Sequence, residues 1–327
     1  MKKMKKLLAA CGLAFSACGM VFASSLTDNI EKYKDEAAKF SSTINNGLDD
    51  FAGELGIAVP QAAVQQNVYA DAFIGKVFPA VPPHFAVGFN AGVTHINTEG
   101  IADAADMLGI SDVKDSYYFP VMNADVRIGG VFLPFDIGLS FMKLNSLEIS
   151  AFGSDFTVDF FTIAADLRYA ILEDGLIKPA LSVGAGYSYN SGSFGVSNSD
   201  AEANVDYKVQ TMYVSLQLSK SLNIPVVKIG FTPFVGVRAV LSKYDNDYDW
   251  AIKNSSAIKA ANAAGVDISG SGNDSASTFG NFQPQLYGGL GFNFMAMQLT
   301  GSVCADLRHL GTDSQLWSGA FSLRIKL

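Results

Sequence analysis

The chain has 327 residues, 49% of them hydrophobic and only 17% charged, with a mean hydropathy of +0.22. That charge fraction is below the ~25% of ordinary soluble domains, yet beyond the N-terminal leader no apolar run reaches the roughly 18 residues of a membrane helix, which excludes a helical membrane protein. The formal net charge of −8 argues against nucleic acid as a partner.

Residues 1–23, "MKKMKKLLAACGLAFSACGMVFA", place four lysines before an apolar stretch ending in Val21-Phe22-Ala23. This is the pattern of a secretory signal cleaved after Ala23. A rival cut is the lipoprotein-like "FSAC" ending at Cys18; "LAAC" at Cys11 fits that box better but leaves no apolar core after Lys6. Cleavage after Ala23 leaves Cys304 as the one cysteine, so no internal disulfide is expected. It also removes four of the 23 basic residues, leaving 19 against 31 acidic, a net charge of −12.

Within 24–56, Leu26, Ile30, Tyr33, Ala37, Phe40, Ile44, Leu48, Phe51 and Leu55 recur at spacings of four and three. The spacing predicts an amphipathic helix, stopped by Gly56 and packed on its own protein. A coiled-coil partner or a membrane surface is the other use of such a face. Residues 57–83 carry Pro60, Pro79, Pro82 and Pro83 and read as a connector, a plug segment or an extra strand pair.

From His84 the period becomes two. "LSVGAGYSYN" (181–190) sets Leu181, Val183, Ala185, Tyr187 and Tyr189 on one face and Ser182, Gly184, Gly186, Ser188 and Asn190 on the other. The same alternation runs through "HFAVGFNAGVTHI", "MNADVRI", "DIGLSFM", "FTIAADLRYAI", "MYVSLQL", "VKIGFTPFVGVRAVL", "QPQLYGGLGFNF", "QLTGSVCADLR" and "WSGAFSLRIKL". That makes ten strands, most of them the ~9–11 residues a tilted strand needs to cross a bilayer. Connections alternate between short ("GGVFLP", "LEDG", "SLNIP", "MAM") and long (97–116, 145–155, 191–206, 243–281, 309–315). A transmembrane barrel has short periplasmic turns and longer outer loops. Its apolar face meets lipid, and its small, glycine-rich face suits a crowded interior. Aromatic residues gather near both strand ends, as interfacial girdles do. Pro179, Pro233 and Pro284 predict local bulges.

On this pattern the chain resembles bacterial outer-membrane β-barrel proteins as a class, over about 84–327. The resemblance implies an all-β, antiparallel, up-and-down transmembrane barrel of ten strands, or twelve if 57–83 adds a pair. It further implies the outer membrane of a diderm bacterium, a monomer, and the bilayer and the insertion machinery as partners. Such chains usually end in an aromatic residue; here Phe321, Leu323 and Ile325 keep the alternation but the last residue is Leu327. The exported segment before the barrel is similar in plan to the long-chain fatty-acid transporters.

The expected function is a channel or transporter for small or hydrophobic solutes. A surface-structural or adhesion role through 97–116 and 243–281 is the alternative. Omptin proteases share the strand count and carry an Asp/His constellation at the outer rim. Here His309 stands near Asp306, Asp313 and Ser314, without an omptin-like motif, and His84 and His95 are the other histidines. An enzyme is therefore not expected, and no cofactor is.

Asp245, Asp247 and Asp249 in "DNDYDW" have calcium-loop spacing, but Trp250 replaces the expected glycine and no glutamate follows at the twelfth position, so only weak ion attraction is read there. Three Asp-x-Arg pairs, Asp125/Arg127, Asp166/Arg168 and Asp306/Arg308, are expected to face the lumen as structural ion pairs or as a charge-screening constriction. Lys178, Lys228, Arg324 and Lys326 are expected to join Arg127 and Arg168 as an inward basic group at the periplasmic mouth. The acidic 26–55 helix, or the connector after it, is expected to dock at or within that mouth, held partly by charge.

Overall fold

The computed structural model describes residues 37–77, 84–100, 102–103, 115–151, 154–197, 201–224, 229–311 and 315–326. The leader, the cut after Ala23, the Cys18 box, Lys228, Ser314 and Leu327 lie outside them.

A helix, α1 (Ala37–Gln66), precedes ten long antiparallel strands: β1 (Phe85–Asn97), β2 (Ser116–Gly129), β3 (Phe135–Ala151), β4 (Ser154–Leu172), β5 (Ala180–Ser197), β6 (Ala201–Ser219), β8 (Ile229–Ile252), β9 (Ser269–Phe294), β10 (Met297–Asp306) and β11 (Trp317–Lys326). A three-residue spur, β7 (Leu222–Ile224), pairs with the start of β8, and a short helix, α2 (Ser255–Ala264), joins β8 to β9. Pairing of β1 with β11 (Ala86↔Lys326 to Thr94↔Ser318) and of β6 with β8 (Ser219↔Phe234 to Ala201↔Ile252) closes the sheet.

The two faces sort as the alternation requires. Val183 and Tyr187 are each 43% exposed, while Ser182 and Ser188 on the opposite face are 1% and 3% exposed. Ile128, Leu139, Phe141, Leu167, Leu290 and Leu323 continue the outward apolar band. Only hydrocarbon makes that arrangement favourable, and a closed sheet leaves few backbone amides stranded in it. No described helix is long and apolar enough to cross a membrane. The short turns 130–134, 173–179 and 295–296 share one end with Phe85, Ser219 and Lys326. By the rule of turn lengths that end is periplasmic.

Residues 57–83 add no strand among those described, so the barrel has ten strands. The segments expected as loops at 145–155, 191–206 and 243–281 are largely strand: β3/β4, β5/β6 and β8/β9 run on as paired hairpins past the apolar band. Their Ser/Asn/Asp/Gly composition reads as loop, but it reflects a wet outer face. The inner face keeps Val205, Tyr207 and Val209 on β6 and Tyr248, Trp250 and Ile252 on β8, all buried.

Pro233 and Pro284 produce no bulge at their own positions. The Pro233 carbonyl accepts from the Lys220 N–H and that of Pro284 from the Leu307 N–H. In an antiparallel ladder a residue's N and C=O point the same way. Each proline nitrogen therefore faces the spot where the neighbouring strand, β6 or β10, has just ended, and no ladder donor is missed. The register shifts lie instead at 144/147, 170/172 and 242/244.

The helix also departs from expectation: it continues through Gly56 and Pro60 to Gln66. From Ala58 to Gln66 it is buried on every side, which a short run of Ala and Val allows in a narrow lumen. The barrel wall supplies what the sequence lacks. Pro60 has no N–H for the Gly56 carbonyl, and the Asn281 side chain donates to that carbonyl at 3.3 Å. Gln283 donates to the Ile57 carbonyl at 2.8 Å and Asn246 to that of Ala52 at 2.5 Å. Gly56 itself is required, since a methyl there would meet the Tyr244 ring at 2.6 Å. Replacing Asn281 with alanine should cost about 1 kcal/mol, read as a lower temperature at which the compact gel band converts to the unfolded one.

Candidate functional site: the occupied lumen

α1 runs through the barrel rather than resting at its mouth. Near its start, Ile44 packs with Trp250, Ile252, Ala257 and Ala261, and the Trp250 indole donates to Asn45 at 2.8 Å. Trp250 pairs with Gly270 far from the short turns, so the N-terminal end of α1 is at the outer end. Its middle, Phe51, Leu55 and Val59, packs against Ile96, Phe119, Val205, Tyr207 and Val209 of the wall. Its C-terminal turn is tied by Arg238, which donates to the Val64 carbonyl at 2.7 Å, and by Gln65, which donates to Ser302 at 2.8 Å.

The segment after α1 then meets the buried charges at the periplasmic end. Tyr69 donates to Asp125 at 2.7 Å, and its ring lies 3.7 Å from the Arg324 guanidinium carbon and 4.5 Å from that of Arg127. Asp71 accepts from Lys326 at 2.7 Å and from Gln298 at 2.9 Å, while its carbonyl accepts from Arg168 at 2.7 Å. The Ile74 amide donates to Asp136 at 3.2 Å. Together these contacts form a latch in which the connector, not the acidic helix, carries the charge.

Two of the three Asp-x-Arg pairs enter this network, but not as pairs. Residues i and i+2 on a strand stand roughly 6.5 Å apart with their side chains parallel. Partners come from across strands. Arg127 donates to Asp166 at 2.6 Å and to Asp136; Arg168 donates to Asp136 at 2.9 Å; Arg324 donates to Asp125 at 2.9 Å. Gly138 lies between Arg127 and Asp166 in register, and Gly88 between Asp125 and Arg324. A methyl on Gly138 would strike both Arg127 and Asp166, and one on Gly88 would strike Arg324. Each glycine thus leaves a notch through which charges two strands apart meet. The glycine-for-side-chain pattern was visible in the sequence; the register that gives it meaning was not.

The remaining candidates lie elsewhere. Asp306 is fully buried at the outer end of β10, where it binds His309 at 3.1 Å and Arg308 at 3.3 Å, with Arg308 substantially exposed. That third pair is at the far end of the barrel from the other two. Lys178 is exposed in the β4–β5 turn, where its carbonyl accepts from the Gly175 N–H.

Asp245, Asp247 and Asp249 all face outward on one straight stretch of β8. An extended strand spreads them along the wall instead of curling them round an ion. Asn273 donates to Asp245 at 2.9 Å and to Asp247 at 2.8 Å. Asp206 on β6 stands directly opposite Asp247. Burial, then the charges of Asp249 and Asp247, hold the Asp206 carboxyl above its ordinary pKa. A raised folded-state pKa favours the folded form below the ordinary value, and that contribution is lost as pH rises through the folded pKa. Mild acid should therefore slow protease cutting of the outer hairpins, and Asp206→Asn should flatten that pH dependence.

No family model matches the sequence, and no curated protein matches it. Among solved structures, the translocator domain of the autotransporter NalP from Neisseria meningitidis is 8% identical, with a TM-score of 0.34, covering 77% of this chain and 91% of its own. The beta domain of the Bordetella autotransporter BrkA is 9% identical, with a TM-score of 0.33, covering 75% and 99%. The Ralstonia pickettii toluene transporter TbuX is 7% identical, with a TM-score of 0.21, covering 75% and 89%. No residue or activity is carried across at this level of likeness. By its own closed sheet and oily exterior the chain is a bacterial outer-membrane β-barrel, and the outer membrane is its location.

Proposed function

We propose that this barrel is a monomeric, non-enzymatic transporter for small or hydrophobic solutes, closed at rest by its own N-terminal helix. One observation supports the reading most: α1 and the latch after it occupy the lumen from the outer hairpins to the periplasmic turns. A barrel serving only as a scaffold gains nothing from a helix held inside by wall amides and a polar latch, whereas a conduit needs a plug. Transport then requires α1 to shift, or solute to pass beside it.

Proteoliposome swelling tests this. The full chain should pass small sugars slowly or not at all, and a variant lacking 24–66 should pass them freely. Equal swelling rates for the two would overturn the reading. The extended β8–β9 hairpin with α2 favours a second reading, a surface-structural barrel, which predicts that both proteins stay impermeable.

A further inference from the structure

The lumen helix has two unlike flanks. On one, Phe51, Leu55 and Val59 pack against Phe119, Val205 and Val209. On the other, Gln61 and Gln65 face β1, β10 and β11. Four residues of helix rise about 6 Å, close to a two-residue step along a strand, so the two glutamines meet successive rungs of the wall. Gln61 donates to Ser318 at 3.5 Å and Gln65 to Ser302 at 2.8 Å. Three rungs of this wall turn short side chains inward: Thr94 beside Ser318, Ala320 beside Ser302, and Ser322 beside Thr300. Among the described residues no charged side chain stands on these rungs of β1, β10 and β11.

This flank is poorly matched to the helix it holds. Gln61 Oε1, Thr94 Oγ1 and Thr300 Oγ1 make no hydrogen bond, although none of the three residues is more than 2% exposed. Each such group costs about 1–3 kcal/mol while it stays buried and unpaired. A wall built only to seat α1 would carry alanine or valine there, as Val205 and Val209 do on the other flank. The polar stretch is also bounded at both ends. Ile96 and Leu316 join the apolar cluster on its outer side, and the Tyr69 ring, 3.7 Å from the Arg324 guanidinium carbon, closes its periplasmic side.

We propose that this flank is a collapsed binding site: when α1 stands off from β1, β10 and β11, its hydroxyl and amide groups bind a small uncharged polyhydroxylated solute. Serine, threonine and glutamine offer both donors and acceptors, as the hydroxyls of a sugar require. An apolar solute would leave the same groups unpaired. An ion would surrender its water without meeting a counter-charge on these rungs. Arg238, at the edge, is held by the Val64 carbonyl and by Gln65. The proposal rests on the transport reading for why solute enters the lumen; binding is tested separately.

The test is saturation-transfer difference NMR with L-arabinose on the full chain in detergent. Saturable binding is expected. Thr94→Val with Thr300→Val should weaken it about tenfold, roughly 1.4 kcal/mol. The same pair should leave the temperature of gel-band conversion unchanged or higher, since two unpaired hydroxyls are gone. Thr162→Val on β4, which removes a hydroxyl bonded to Asn190 at 2.7 Å, should leave binding unchanged. Loosening the latch with Tyr69→Ala and Asp71→Ala should tighten binding about tenfold, because the closed form competes with the solute. Absence of saturable binding in the loosened chain overturns the proposal, as does binding indifferent to the paired valines. Stronger binding of gluconate than of arabinose would give the site to Arg238. A lower conversion temperature in the paired-valine chain would give the two hydroxyls to the closed fold. Either result equally overturns the proposal. Impermeable liposomes with intact arabinose binding would instead remove the transport reading and leave the site.

Discussion

Replacing Arg127 with alanine is expected to destabilise the folded barrel by about 3–5 kcal/mol, the cost of leaving buried charge without its partner. Arg127 is 1% exposed, and it holds Asp136, itself fully buried, together with Asp166. Arg168 still reaches Asp136, but Asp166 loses the Arg127 guanidinium that it binds at 2.6 Å. Arg127→Lys should recover only part of the loss, because one ammonium cannot reproduce a planar fork that engages two carboxylates at once. The combined change Arg127→Met with Asp166→Leu should be milder than Arg127→Ala, since it removes both members of one pair. The measurement is the temperature at which the fast-running gel band is lost. An Arg127→Ala barrel as heat-resistant as the parent would mean that water reaches this network freely.

Most of the wall is legible in the sequence because a bilayer imposes strict alternation. Val183 and Tyr187 out, with Ser182 and Ser188 in, is a pattern no soluble sheet of this charge would choose. What resisted reading was whatever depends on contacts distant in sequence. Gly56 and Pro60 are stop signals in an isolated helix; here Asn281, over two hundred residues away, donates to the Gly56 carbonyl that Pro60 leaves without a partner, and Gln283 adds a bond to the next carbonyl, Ile57. The tripeptides Asp-x-Arg looked like pairs because they are near in sequence. On strands nearness means a shared face, and partners lie one or two strands over, as with Arg127 and Asp166. "DNDYDW" looked like a loop for an ion because its aspartates hid a second alternation, Asn246, Tyr248 and Trp250 facing inward.

The latch sets how often the plug leaves. Lys326, Gln298 and Arg168 converge on Asp71, and Tyr69 lies among Arg324, Arg127 and Arg168 while donating to Asp125. These contacts exist only while the connector is seated, so their free energy belongs to the closed state alone and shifts the balance between closed and open by its full amount. Tyr69→Ala with Asp71→Ala removes a buried charge pair, an aromatic–cation stack and a charge-assisted hydrogen bond. A loss of about 3 kcal/mol from the closed state raises the open fraction roughly a hundredfold. In planar bilayers the parent should remain almost silent, and the double variant should show frequent openings with the same unit conductance as the barrel lacking 24–66. The wall network of Arg127, Asp136 and Asp166 keeps its own partners in both variants, so the barrel itself should stay closed to unfolding. Silence from a folded double variant, with openings from the truncated one, would move control of the plug to the outer contacts of Ile44 and Asn45 with Trp250.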